Sequence, residues 1–89
     1  MDAVVRQMRD AIIDNDLKLL AAVNARISLA ARLDAYTRQN DLQEFEQQRE
    51  DWMQRYIQGA NHGPISDEGL RELYGALLEL TKREIRRTD

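Results

Sequence analysis

No glycine or proline occurs before Gly59, so more than half of this 89-residue chain runs without a helix breaker. Within that stretch Val5, Met8, Ile12, Leu19, Leu20, Val23, Ile27, Ala30 and Leu33 form a stripe at helical spacing, interrupted by Asp16. The pattern predicts one helix from Ala3 to Gln39, closed by a turn at Asn40-Asp41. Such a helix spans roughly 55 Å, whereas a compact chain of this length has a radius of gyration of only ~12 Å. Two shorter helices from the same chain cannot cover it. The stripe requires a second copy, most simply across a twofold axis. A long coiled coil is the competing arrangement. Asp16 and Arg26 on the packed side, and the lack of a heptad with paired flanking charges, weigh against it. The expected fold class is therefore all-α: three helices, one long and two shorter, in an intertwined helical homodimer, with residues 1–89 as a single domain.

Beyond the turn, Trp52, Met53, Tyr56 and Ile57 mark the apolar side of a second helix, predicted from Phe45 to Gln58. Gly59-Ala60-Asn61-His62-Gly63-Pro64 reads as a loop. Ser66 is then placed as an N-cap, with Asp67 and Glu68 favourable in the first turn. The third helix carries Leu70, Leu73, Tyr74, Leu77, Leu78, Thr81 and Ile85 and is predicted to run to Arg87. No strand pattern, repeat or low-complexity tract is visible.

Composition removes several function classes. A net charge of −3 argues against a general nucleic-acid binder. No apolar run approaches the ~20 residues of a membrane span, and Met1-Asp2 does not open a signal-peptide pattern; a soluble, cytoplasmic protein is the expectation. With no cysteine, disulfides, thiolate metal sites and cysteine nucleophiles drop out. His62, the only histidine, sits in the glycine-containing loop. Ser28 and Ser66 have no base nearby in sequence, and a zinc site would need mostly carboxylates. No glycine-rich phosphate loop is present. The expectation is no metal and no cofactor, so a reaction here would rest on positioning and electrostatics.

Of the thirteen basic residues, all but Lys18 and Lys82 are arginine. Arginine presents a planar fork that matches a carboxylate with two parallel hydrogen bonds. Arg9, Asp16, Arg26 and Thr37 lie on or beside the stripe of the first helix, Glu46, Arg49 and Glu50 on the second, and Thr81 and Glu84 on the third. An arginine facing a core needs an anion. Glu46 or Glu50 could supply it internally; a bound dicarboxylate held by two or three arginines is the alternative.

Five segments carry a resemblance: Met-Arg-Asp-Ala-Ile at 8–12 followed by Asp16, Val-Asn-Ala-Arg-Ile-Ser-Leu-Ala at 23–30, Gln-Arg-Glu-Asp-Trp-Met at 48–53, Gly-Pro-Ile-Ser-Asp-Glu-Gly-Leu at 63–70, and Leu-Thr-Lys-Arg-Glu at 80–84. In this order and spacing the chain resembles the all-helical bacterial chorismate mutases over nearly its whole length. The resemblance implies a dimer of three-helix chains with paired first helices and two active sites. It implies conversion of chorismate to prephenate by a pericyclic rearrangement, without cofactor or covalent intermediate. Residue by residue, it implies that Arg9 reaches the other subunit's site and grips a substrate carboxylate. Arg26 binds the second carboxylate, Arg49 lies near the polar groups, and Glu50 accepts the substrate hydroxyl. Glu46 stands where the family usually has aspartate, and Thr81 where a serine or threonine lines the pocket.

Two positions depart from the family. Thr37 replaces a lysine that donates to the breaking ether oxygen, and Ile85 replaces a glutamine or glutamate. Arg38, beside Thr37, points about 100° away around the helix. A one-residue slip would bring Glu84 to the place of Ile85. A slow mutase is the resulting expectation, since a lost donor costs ~10²–10³ in rate. Two alternatives remain. One is a sister activity on the same scaffold, isochorismate pyruvate lyase or aminodeoxychorismate mutase; retention of Arg49-Glu50 speaks against it. The other is a weakly catalytic helical dimer that binds a dicarboxylate or a partner, such as another shikimate-pathway enzyme, with the charged run Lys82–Arg87 as a contact. A solvated helix end is the simpler reading of that run.

Overall fold

The computed structural model describes residues 2–43 and 46–88, without the side chains of Glu46, Gln47 and Thr88. Three helices follow one another: α1 (Ala3–Gln39), α2 (Glu46–Ala60) and α3 (Asp67–Thr88). No strand occurs among the described residues. The expected all-helical class and the bounds of α1 hold. Phe45, the expected start of α2, lies outside the described residues.

Each helix end has a local cause. The Asp2 carboxylate accepts from the Val4 and Val5 amides at 2.7 and 3.3 Å, satisfying two donors of the first turn. At the other end of α1, Asp41 takes φ 55°. Aspartate tolerates this left-handed conformation better than most residues. It lets the Leu42 amide donate back to the Thr37 carbonyl at 2.8 Å, a Schellman closure. The Asn40 side chain donates to the Tyr36 carbonyl at 2.9 Å.

The second helix runs two residues past its expected end, through Gly59 and Ala60. A glycine weakens a helix by ~1 kcal/mol but does not stop it. The stop comes at Asn61, whose side-chain oxygen accepts from the Gly63 amide at 2.9 Å and whose nitrogen donates to the Ile65 carbonyl. Gly63, at φ 80°, occupies backbone space that other residues rarely enter. Ser66 caps α3 as expected, its hydroxyl accepting from the Gly69 amide at 3.0 Å.

The third helix packs against both of the others. Tyr74 and Thr81 of its stripe are buried, Leu70, Leu77, Leu78 and Ile85 are half-buried, and Leu73 is exposed. The chain measures 57 × 29 × 15 Å with a radius of gyration of 16.7 Å, well above the ~12 Å of a compact domain. Its long dimension is the length of α1. Val4, Val5, Met8, Ile12, Ile13, Leu17, Leu19 and Leu20 are 40–62 % exposed. Among the described residues no side chain is fully buried. No helix is long and apolar enough to cross a membrane among the residues described.

Candidate active site

The second half of α1 presents Arg26, Ala30 and Asp34 at four-residue intervals, which places them on one face. That face, with Arg49 and Glu50 of α2 and Leu78, Thr81, Lys82 and Ile85 of α3, surrounds a cleft of about 90 Å³. The cleft contains three cations, two carboxylates, a hydroxyl and three apolar side chains. Arg49 also reaches an adjoining recess of about 270 Å³ floored by Leu29, Ala30, Leu33 and Met53.

Arg26 is the best-anchored charge. Its Nη1 donates to the Thr81 hydroxyl at 2.9 Å, and its guanidinium carbon lies 5.7 Å from the centroid of the Tyr74 ring, within range of a cation–π attraction. The Thr81 hydroxyl donates its one proton to the Leu77 carbonyl at 2.8 Å. Its oxygen is therefore oriented as an acceptor toward Arg26. Thr81, only 4 % exposed, holds the guanidinium while leaving the fork's remaining donors for another acceptor. The internal carboxylate partner considered for Arg26 is absent among the described residues; the Glu46 side chain lies outside them.

Arg49 has no partner among the described residues. Glu50, half-buried, lies 3.6 Å from the Lys82 ammonium. Arg38 ion-pairs with Asp34 at 3.1 Å and lines a neighbouring cleft of about 260 Å³ with Lys82, Ile85 and Arg86. Thr37 is buried, at 6 % exposure. Its hydroxyl donates to the Asp34 carbonyl at 3.0 Å, and it does not line the cleft.

Of the residues expected in a site, Arg26, Arg49, Glu50, Thr81 and Ile85 come together. Arg9 does not join them; it lies about 25 Å along α1 from Arg26. Ile85 rather than Glu84 faces the cleft: Glu84 pairs with Arg87 at 3.2 Å. Asp34 and Lys82 were not expected there. Both positions were legible in the spacing: Asp34 continues the 26–30 step, and Lys82 follows Leu78 by four residues. His62 lies on an exposed loop.

The family model described as chorismate mutase type II matches residues 8–86. The chain belongs to that family. The match spans all three helices and every residue of the cleft. No curated protein and no solved structure gives a match. Chorismate mutases are isomerases that act on chorismate, a dicarboxylate. The cleft of this family member has the corresponding character, with guanidinium groups from two different helices facing one space.

Proposed function

We propose that this chain is a chorismate mutase that converts chorismate to prephenate as a homodimer with intertwined first helices. The convergence of Arg26, Arg49 and Glu50 on one cleft carries the reading. Arg26, preset by Thr81 and Tyr74, binds one carboxylate. Arg49 binds the substrate's polar groups, and Glu50 accepts its hydroxyl. The reaction rearranges bonds within one molecule, so the site has to hold a compact conformer and stabilise developing charge. The cleft is suited to that. Its one hydroxyl is committed to a backbone carbonyl, and neither histidine nor cysteine lines it.

The dimer is supported by the exposed apolar residues of α1. Each Leu, Ile or Met buried gains ~1.5–3 kcal/mol, and a second copy is the one surface of matching length. Arg9 is too far from its own cleft to act there, so it serves the partner's site. With the Thr37 hydroxyl engaged on its own helix, turnover slower than that of relatives with lysine at this place follows.

The test is loss of chorismate absorbance with purified protein, with the product identified. Prephenate is the expected product. Pyruvate release would select a lyase on the same scaffold, and unchanged chorismate bound to the dimer would select a dicarboxylate-binding role.

A further inference from the structure

We propose that Lys82 supplies the cation that faces the ether oxygen of bound chorismate as its C–O bond breaks. The inference rests on the chorismate mutase reading above. In the rearrangement one C–O bond breaks, one C–C bond forms, and three electron pairs move around a six-membered ring. No proton or atom leaves. Negative charge grows on the departing ether oxygen, so a cation there stabilises the transition state more than the ground state.

The cleft offers three cations. Arg26 is held by Thr81 and Tyr74 and binds one carboxylate, the Arg9 lent by the other copy of the proposed dimer takes the second, and Arg49 lies by the substrate's polar groups. Lys82 remains. It shares the cleft-facing side of α3 with Leu78, Thr81 and Ile85. Its ammonium lies 3.6 Å from a Glu50 carboxylate oxygen. That is beyond hydrogen-bond length, so the ion pair steers the ammonium without occupying its donors. Glu50 is the group proposed to accept the substrate hydroxyl. In chorismate the hydroxyl and the ether oxygen sit on neighbouring ring carbons. A cation beside Glu50 on the cleft side is therefore within reach of the ether oxygen. Neither Thr37 nor Arg38, at the end of α1, lines the cleft. Thr37 is buried with its hydroxyl on the Asp34 carbonyl, and Arg38 is paired with Asp34. The Lys82 side chain is 49 % exposed, so solvent screens its charge, and its contribution falls at the low end for a preorganised donor.

A residue that merely tethers α3 to α2 would affect folding and substrate binding. The test therefore compares Lys82→Met and Lys82→Arg in the whole chain, with chorismate as substrate and prephenate measured. Lys82→Met is expected to lower kcat by roughly 30- to 100-fold, with KM within about threefold and melting temperature little changed. Lys82→Arg, which keeps the charge, is expected to stay at least about tenfold more active than Lys82→Met. If Lys82→Met does not fold, Lys82→Gln replaces it with the same expectation. A kcat within about threefold of the parent, a loss confined to KM, or equal losses in the charged and uncharged variants overturns the role of Lys82 and leaves the mutase reading intact. A folded parent that forms no prephenate overturns both.

Discussion

The two halves of α1 have different surroundings although one uninterrupted helix joins them. From Val4 to Leu20 the large apolar residues are exposed, and α2 and α3 leave them uncovered. From Arg26 to Thr37 the same helix packs against α3, contributes an arginine and a carboxylate to the cleft, and buries a threonine. Large apolar side chains and intrachain packing are thus separated along α1. The half richer in large apolar side chains is the less buried one. The other half, although Leu29, Leu33 and Tyr36 remain exposed, is where the chain folds on itself. On the proposed dimer, the first half serves association and lends Arg9 to the other copy's site, while the second half builds the chain's own cleft.

A charge placed in the exposed half is expected to have the largest effect. Ile12→Asp is expected to abolish both dimer and activity, because an unpaired carboxylate would enter the interface once from each copy. Light scattering would report the mass and a chorismate assay the activity. An active Ile12→Asp dimer would show that this half lies outside the interface. In the other half, Arg26→Ala is expected to lower kcat/KM by about 10²–10³-fold or more while the dimer persists.

The two halves can then be tested together. Arg9→Ala and Arg26→Ala should each be nearly inactive. Mixed in equal amounts and refolded, they should recover about a quarter of parental activity, since half the dimers are mixed and one of their two sites is intact. Demonstrated mixed dimers without recovered activity would place both arginines in one site or outside any site. The smallest effect is expected at Thr81. Thr81→Val keeps the shape but removes the acceptor that orients Arg26, so kcat/KM should fall by about tenfold, equivalent to ~1.4 kcal/mol. Thr81→Ser, which restores the hydroxyl, should sit close to the parent; a valine variant as active as the serine one would show that Arg26 needs no orienting contact.

How much of this was readable from sequence varied with how local the physics is. The C-terminal bound of α1 was readable because Asn40-Asp41 acts on the few amides and carbonyls beside it. The end of α2 was not, because Gly59 reads as a breaker, whereas its helical cost is small and the termination lies in the Asn61 turn. Arg26, Arg49 and Glu50 could be singled out from polar positions on apolar stripes and from family resemblance. Their convergence depends on how three helices cross, which no local pattern encodes. Lys82 was obscured by its neighbours. Within Lys82–Arg87 the composition reads as a solvated end, yet its four-residue spacing from Leu78 places it on the cleft side of α3. The Ile85 position shows the reverse case. The ungapped reading put an apolar residue where relatives carry a donor, and the structure does turn that isoleucine toward the cleft.

The lack of any fully buried side chain among the described residues has a consequence for abundance. A chain with so little interior has little stability of its own, and on the proposed dimer folding and association become one concentration-dependent event. Dilution then acts as a denaturant does, and the melting temperature climbs with protein concentration. The amount of active enzyme follows the square of the folding-competent chain concentration when chains are scarce. In that regime, halving the amount of chain lowers the proposed dimer's activity by more than half.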